Sequence, residues 1–271
     1  MQQLFDLTNK VIIITGATGV IGEAFVHAVA DMNAKVILIG RNEAVGNERA
    51  NAINQKNKEA IFIKADVLNK EDLLKAKEII LKKFGRINGL VNAAGGNVAE
   101  AVIKPGNDIF NIDMNAMHKA FDLNLFGTML PVDVFGNAMK QTANASIVNI
   151  SSMAAQTTLT RVLGYSMAKA AIDNYTRWMS VEIANRYGES VRVNAIAPGF
   201  FITHQNKQLL TNEDGTYTER GEAVIRNTPF KRFGNPEELS GTLIWLLSDA
   251  SKFVTGEVIC VDGGFHIFSG V

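Results

Sequence analysis

Short apolar runs alternate with longer amphipathic segments along the chain. Runs such as V-I-I-I-T and K-V-I-L-I are apolar at nearly every position, which is typical of parallel strands covered on both faces. The predicted strands are Val11–Thr15, Lys35–Ile39, Ala60–Lys64, Ile87–Val91, Ser146–Ile150, Val191–Ala195 and Glu257–Val261. The first predicted helix follows a glycine turn and runs to about Met32. The others are Glu43–Asn57, Lys70–Phe84, Asp113–Thr142, Val162–Arg186 and Pro236–Ser248.

Regular alternation of strands and helices implies right-handed crossovers between parallel strands. We therefore expect an α/β fold, a Rossmann-type doubly wound parallel sheet of about seven strands with helices on both faces. No repeat, linker or low-complexity run divides the sequence, so residues 1–271 are expected to form a single domain. The polar segment 204–234 follows the sixth strand, where inserts often cover a site. We expect it to be a substrate lid.

The composition gives no sign of a nucleic-acid or membrane partner and suggests a compartment for the protein. Lysine plus arginine and aspartate plus glutamate both number 27, so the charge balance gives no reason to expect nucleic acid or an anionic membrane surface. No apolar run approaches the ~20 residues of a membrane span, and the amino terminus lacks the pattern of a signal peptide. The single cysteine, Cys260, suits a buried thiol in a reducing compartment. We expect a cytoplasmic protein.

A glycine-rich turn between the first strand and the first helix predicts a nucleotide site. Glycines permit a tight turn and let the backbone approach a pyrophosphate at the positive end of the helix. The predicted contacts are Gly16, Thr18, Gly19, Val20, Ile21 and Gly22. The second strand ends at Arg41, where an NAD site would usually carry an acid. An arginine suits a 2′-phosphate, so NADP is slightly preferred over NAD.

Three residues further along suggest proton transfer. Tyr165 and Lys169 lie four residues apart, hence on one face of a helix, and Ser152 closes the fifth strand. An ammonium beside a phenol should lower the tyrosine pKa from its reference near ~10. A serine hydroxyl could hold the same substrate oxygen. Ser151 should point to the opposite side, because neighbouring strand residues alternate.

These motifs resemble the short-chain dehydrogenase/reductase family over nearly the whole chain. The resemblance rests on the glycine turn, Asp66-Val67, Asn92-Ala93-Ala94-Gly95, Asn124, Ser152, Tyr165, Lys169, and Pro198-Gly199 followed by Thr203. One position departs from it, because the family's usual turn would place glycine where Val20 stands.

The resemblance implies a role for each matched position. Asp66 and Val67 would hold the adenine, and Thr203 would contact the nicotinamide carboxamide. Lys169 would also bind the nicotinamide ribose, and Asn124 would anchor a water that passes protons to it. The remaining cofactor contacts would come from Asn92, Ala93, Gly95, Tyr165, Pro198, Gly199 and Phe201. The family also implies a homotetramer assembled through the long helices and the C-terminal strand.

Five stretches point to a group within the family: T-G-A-T-G-V-I-G, V-N-A-A-G-G-N, F-D-L-N-L-F-G-T, A-P-G-F-F-I-T and V-D-G-G-F-H-I-F-S-G-V. On these the chain most resembles sugar-acid reductases of the D-mannonate oxidoreductase (fructuronate reductase) type. A keto sugar acid needs a cation for its carboxylate, and Arg161 lies between Ser152 and Tyr165. Lys207 or Arg232 could serve instead. Candidates for the sugar hydroxyls are Asn97, Gln205 and Asn206. Gluconate 5-dehydrogenase-like and 3-oxoacyl reductase activities remain alternatives, with a non-catalytic dinucleotide-binding regulator more remote. No metal site is expected, because the four histidines and Cys260 lack ligand spacing.

Overall fold

A computed structural model describes residues 2–203 and 206–270. Seven strands form one sheet, and each begins within two residues of its predicted start. They are β1 (Val11–Thr15), β2 (Lys35–Gly40), β3 (Glu59–Lys64), β4 (Gly89–Asn92), β5 (Ala145–Ile150), β6 (Val191–Pro198) and β7 (Val258–Val261). All neighbouring strands are parallel, in the order β3-β2-β1-β4-β5-β6-β7. The order reverses between β1 and β4, which in such sheets opens a crevice at the carboxyl ends.

Helices cover both faces of the sheet. The described helices are α1 (Val20–Asp31), α2 (Glu43–Asn54), α3 (Lys70–Phe84), α4 (Met114–Phe121), α5 (Gly127–Met139), α6 (Leu163–Tyr187), α7 (Lys207–Leu210), α8 (Glu219–Asn227) and α9 (Ser240–Leu247). Along β1, Ile12 and Ile14 pack with α1, α2 and α9, whereas Val11 and Ile13 pack with α3, α5 and α6. The fully buried strand therefore divides its side chains between two cores.

The long helix predicted over Asp113–Thr142 is interrupted. A π-helical segment, Asp122–Phe126, separates α4 from α5. Such segments occur frequently at functional sites, and this one carries Asn124. The predicted helix Pro236–Ser248 likewise opens as a 3₁₀ turn over Pro236–Leu239 before α9. Apolar periodicity locates these helices but does not reveal a change in helical pitch.

The segment after β6 forms a small layer of its own. A β-bridge pairs Phe201 with Gly234, so the segment begins and ends at the same place, just beyond the carboxyl end of β6. Between these residues α7 and α8 pack around an apolar cluster that includes Leu210, Val224 and Phe233. Within the described residues, no helix is long and apolar enough to cross a membrane.

Candidate active site

A cleft opens at the carboxyl ends of β4, β5 and β6, bordered by α1, α6 and the segment after β6. Many of the residues predicted from the sequence line it. They are Ile21, Ala93, Gly95, Asn97, Ser152, Tyr165, Lys169, Pro198, Gly199, Phe201, Thr203 and Asn206. Residues distant in sequence therefore converge on one site.

The glycine turn beside this cleft is tightly built. Gly16 has a left-handed backbone (φ 64°), and a Cβ there would lie 2.6 Å from the Ala93 carbonyl oxygen. A Cβ on Gly22 would lie 2.2 Å from the Gly16 oxygen. Gly19 caps α1 without a side-chain hydrogen bond, so the first N–H groups of the helix lack a capping partner. This bare helix start fits a dinucleotide pyrophosphate.

The departure at Val20 has a simple structural reason. Val20 is the first residue of α1, and an ordinary helical position does not require glycine. The two glycines whose added Cβ would collide with backbone, Gly16 and Gly22, are both present. The variant turn therefore keeps the glycines on which its geometry depends.

Arg49 braces the same turn, a role that the sequence does not reveal. From α2, its guanidinium donates to the carbonyl oxygens of Ala17 (2.6 Å) and Gly19 (2.9 Å) and pairs with Glu23 at 2.6 Å. Burial lowers the pKa of Arg49, and the Glu23 charge opposes this shift. Arg49 carries no local motif, because only the packing of α2 beside α1 brings it to the turn.

The predicted adenine-side residues lie at the ends of β2 and β3. Arg41 is exposed just after β2, and the side chain of Thr18 lies against Gly40. Asp66 accepts a hydrogen bond from the Leu68 N–H at 3.0 Å, and Val67 is buried against Gly127. An exposed cation at this edge is free to meet a charged ribose substituent.

Asn92 has a different place from the one predicted. Its side chain is buried, and its amide nitrogen donates to Asn149 Oδ1 on the neighbouring strand at 2.9 Å. The two residues are register partners on β4 and β5, and Asn149 in turn donates to Thr176 on α6 at 2.9 Å. Asn92 therefore ties adjacent strands together behind the cleft instead of lining it.

Asn124 is held rigidly within the π-helical segment. Its buried amide nitrogen donates to the carbonyl oxygens of Gly96 (2.9 Å) and Ala120 (2.8 Å), and its oxygen accepts from the Gly96 N–H at 2.9 Å. A Cβ on Gly95 would lie 2.9 Å from Asn124 Oδ1 and 3.3 Å from Lys169 Nζ. Asn124 and Lys169 therefore flank the same glycine.

Tyr165 and Lys169 lie one turn apart on α6, and both line the cleft. Lys169 Nζ lies 5.6 Å from the centre of the Tyr165 ring and donates to the Ile150 carbonyl oxygen at 2.6 Å. Ser152 borders the same cleft, and its Oγ accepts the Ala154 N–H at 3.1 Å. A phenol, an ammonium and a hydroxyl therefore meet where a carbonyl oxygen could bind.

The expected lowering of the Tyr165 pKa is wrong for this state of the protein. Burial raises the pKa of Tyr165, and a hydrogen bond with Ser152 only partly opposes it. Lys169 is itself desolvated, which lowers its pKa to about 8, while the negative charge of Asp173 raises it. The loss of water around both groups outweighs the attraction that the helical spacing predicted.

Ser151 also borders the cleft, and it pairs there with the buried Asp173 of α6. The Ser151 hydroxyl donates a hydrogen bond to the Asp173 carboxylate. Burial raises the pKa of Asp173, and the bond from Ser151 opposes this rise. The Ser151 hydroxyl is thus engaged by Asp173, which leaves Ser152 as the better candidate to hold a substrate oxygen.

The predicted substrate residues differ in whether their side chains are available at the cleft. Asn97 is exposed at the cleft, whereas the Asn206 amide is engaged by the adjacent loop, accepting from the Thr203 N–H at 2.7 Å and donating to the Phe201 oxygen at 2.8 Å. Asn206 therefore positions the loop that carries Thr203. Arg161 is exposed at the mouth, where Leu159 and Val162 beside it line the cleft. Gln205 lies outside the described residues.

Three further cations differ in their surroundings. Arg220, which the sequence did not single out, lines the cleft from the first turn of α8. Arg232 forms a bidentate ion pair with Glu238 at 2.7 and 2.6 Å. Its guanidinium is therefore already occupied and is a poor candidate to bind the carboxylate of a substrate. Lys207 is exposed on α7 and does not line the cleft. Nothing near Arg220 in the sequence marks it, because only the fold of 206–234 turns it inward.

Comparison with known proteins identifies the family. Residues 16–266 match the family described as enoyl-(acyl carrier protein) reductase. The Bacillus subtilis uncharacterized oxidoreductase UxuB is 41% identical over 275 residues, covering 98% of each chain. A Haemophilus influenzae protein provisionally named a D-mannonate oxidoreductase, solved with bound NAD, is 39% identical, with a TM-score of 0.91 and 98% coverage of both chains.

A more distant solved structure is also similar. It is a gluconate 5-dehydrogenase from Burkholderia cenocepacia in complex with NADP and tartrate, 26% identical, with a TM-score of 0.85 over 97% of this chain and 98% of that one. The chain belongs to the short-chain dehydrogenase/reductase family. It is an oxidoreductase for alcohol or keto groups, with NAD or NADP as cofactor.

Proposed function

We propose that this protein reversibly reduces the ketone of a keto sugar acid, of the D-fructuronate to D-mannonate type. The observation that carries the proposal is the convergence of Ser152, Tyr165 and Lys169 on a cleft that also receives Thr203. The sugar-acid class is supported by 39% identity to the Haemophilus influenzae protein named for D-mannonate. The gluconate 5-dehydrogenase structure holds tartrate, a hydroxy acid, which further supports an acidic sugar-like substrate.

The proposed proton path starts at the substrate oxygen. When bound, the nicotinamide would supply or accept a hydride at the carbonyl carbon. Tyr165 gives its phenolic proton to the developing alkoxide, or removes it in the oxidative direction. Ser152 donates a hydrogen bond to the same oxygen and so stabilises its growing charge. Lys169 brings a positive charge to the forming phenolate, while Asn124 holds a water from which protons return.

Arg41 supports NADP as the preferred cofactor. It stands exposed after β2, where a guanidinium can pair with a 2′-phosphate. The Haemophilus relative was solved with NAD and the Burkholderia relative with NADP, so both cofactors belong in the assay. If Arg41 sets the preference, Arg41→Ala should raise KM for NADPH by roughly tenfold and change KM for NADH little. Equal changes for both cofactors would refute this assignment.

Residues 204–234, of which the structure describes 206–234, are proposed to form a lid.

The active form is proposed to be a cytoplasmic homotetramer. Two large apolar side chains support association through the long helices, because Phe126 is 48% exposed and Trp178 on α6 is 57% exposed. Exposed apolar surface of this kind commonly marks a protein interface. Light scattering tests the assembly, and a monomer at micromolar concentration would contradict it.

A substrate panel tests the reaction itself. D-fructuronate, D-tagaturonate, 5-keto-gluconate and an acetoacetyl thioester would each be offered with NADH and NADPH, and Tyr165→Phe would serve as the inactive control. We expect D-fructuronate to be reduced with the highest kcat/KM. Preference for 5-keto-gluconate or the thioester would favour the gluconate or 3-oxoacyl alternative, and failure of all substrates while cofactor binds would favour a regulator.

A further inference from the structure

Two arginines from separate parts of the fold meet at the mouth of the cleft. Arg161 lies in the loop before α6, whose residues Leu159 and Val162 line the cleft. Arg220 projects from α8 and lines the same cleft as Tyr165. Arg220 is partly buried, whereas Arg161 is exposed.

The pair carries an unbalanced positive charge. Burial lowers the pKa of Arg220, and the nearby charge of Arg161 lowers it further. Within residues 2–203 and 206–270, neither side chain forms an ion pair. Like charges held together without an anion repel each other, so the arrangement favours an anionic ligand.

Local backbone contacts hold each of the two segments that carry these arginines. Arg161 has φ 75°, in the left-handed region that non-glycine residues rarely adopt, and its carbonyl accepts the Ile103 N–H at 2.9 Å. Strain of this kind is concentrated at functional sites. On α8, Thr218 caps the helix through the Gly221 N–H at 3.1 Å, and a Cβ on Gly221 would lie 2.2 Å from the Leu210 oxygen. Arg220 is thus presented from a closely packed helix start.

We propose that Arg161 and Arg220 together bind the carboxylate of the substrate, one guanidinium to each oxygen. This inference rests on the proposed function and specifies the part of the site that selects an acid. A carboxylate has two oxygens that accept charged hydrogen bonds in the plane of a guanidinium. Because Arg161 lies in the loop before α6 and Arg220 in the proposed lid, the bound carboxylate links these two segments.

The arrangement also selects against neutral sugars. A neutral ketose would enter the cleft without compensating the two positive charges, and specificity is the difference between the two binding free energies. D-fructuronate and D-fructose differ only in a carboxylate or hydroxymethyl group at the chain end remote from the ketone. They therefore isolate the contribution of the charge.

The test compares four variants, Arg220→Leu, Arg161→Leu, Arg226→Leu and Arg220→Lys, with the wild type. Arg220→Leu and Arg161→Leu each remove one guanidinium, and Arg226→Leu is the matched control, because Arg226 is exposed on the same helix and does not line the cleft. For each protein, kcat/KM is measured with D-fructuronate and D-fructose, together with the Kd of the reduced cofactor. Binding of D-mannonate and D-mannitol to the cofactor-loaded protein is measured by calorimetry.

We expect Arg220→Leu and Arg161→Leu each to lower kcat/KM for D-fructuronate by roughly 10- to 100-fold, as for lost hydrogen bonds to a charged group. The value for D-fructose and the cofactor Kd should change less than about twofold, as in Arg226→Leu. Arg220→Lys should restore part of the activity, because it keeps the charge but loses the fork. If Arg220→Leu matches Arg226→Leu with D-fructuronate, the inference is overturned while the proposed function stands.

Calorimetry separates the remaining outcomes. If the wild type binds D-mannonate without turning over any keto acid, and Arg220→Leu abolishes that binding, the carboxylate pair stands and the proposed reaction fails. If the wild type binds D-mannitol as tightly as D-mannonate, no carboxylate is recognised and the inference fails.

Discussion

Replacing Lys169 with methionine should abolish activity and alter how stability depends on pH. Lys169 is 4% exposed, and burial lowers its pKa from 10.5 to about 8. Below about pH 8 the lysine is charged in both the folded and unfolded states, so folding carries the full cost of burying the charge. Between pH 8 and pH 10.5 the folded lysine loses its proton first. Stability should therefore rise with pH in this window.

The size of the effect follows from the same two values. Each tenfold change in an ionisation equilibrium corresponds to about 1.4 kcal/mol, so burial of the charge costs about 3 kcal/mol at neutral pH. Methionine removes this cost but also loses the hydrogen bond from Nζ to Ile150, worth about 1.5–3 kcal/mol. The net change in stability at pH 7 is consequently small. From pH 7 to pH 10, the free energy of unfolding of the wild type should rise by about 2–3 kcal/mol relative to that of Lys169→Met.

Urea unfolding at pH 7 and pH 10, followed by circular dichroism, measures this difference. Both proteins are compared at one concentration, so that subunit association contributes equally. Lys119→Met, at an exposed position on α4, controls for removal of a lysine charge in general. If the free energies of unfolding of wild type and Lys169→Met stay a constant distance apart across this range, Lys169 does not carry a buried charge and the reasoning is refuted.

Three further substitutions test the site. Tyr165→Phe should lower kcat by roughly 10²–10⁴-fold, while fluorescence titration finds the Kd of the reduced cofactor nearly unchanged; a variant with more than a tenth of wild-type activity would exclude Tyr165 as the acid. Arg49→Leu should raise the cofactor KM roughly tenfold through loss of two hydrogen bonds to the turn, with little effect on kcat; an unchanged KM would show that the turn needs no brace. Asp173→Asn removes the charge that raises the Lys169 pKa, so the limb of the pH–kcat/KM profile due to Lys169 should move to lower pH; a superimposable profile would leave Asp173 a purely structural role.

Elements with strong local signals could be predicted from the sequence. Strand β1 and helix α3 have the predicted bounds, because β1 is an uninterrupted apolar run and α3 begins at the capping residue Asn69 and ends at the left-handed Gly85. The spacing of Ser152, Tyr165 and Lys169 also predicts that they lie on adjoining elements at one sheet edge, and all three line one cleft. Such patterns depend on residues close together in the chain.

Features that depend on distant packing could not be predicted. Asn92 follows an apolar strand like any cleft residue, and its inward orientation depends on Asn149 occupying the same register of the neighbouring strand. Arg49 and Arg220 reach the site because α2 and α8 pack where they do. The pKa of Tyr165 depends on how much water the surrounding residues exclude, a quantity that the spacing of Tyr165 and Lys169 does not contain.

The edge position of β7 has a consequence for biosynthesis. β7 pairs with β6, and a Cβ on Gly199 would lie 2.6 Å from Asp262, so residues just beyond β7 buttress the Pro198–Gly199 turn. A ribosome releases these residues after the glycine turn and α6 have emerged, and a domain generally folds as one unit. We therefore expect the cleft to be complete only once β7 has docked against β6 and supports the Pro198–Gly199 turn.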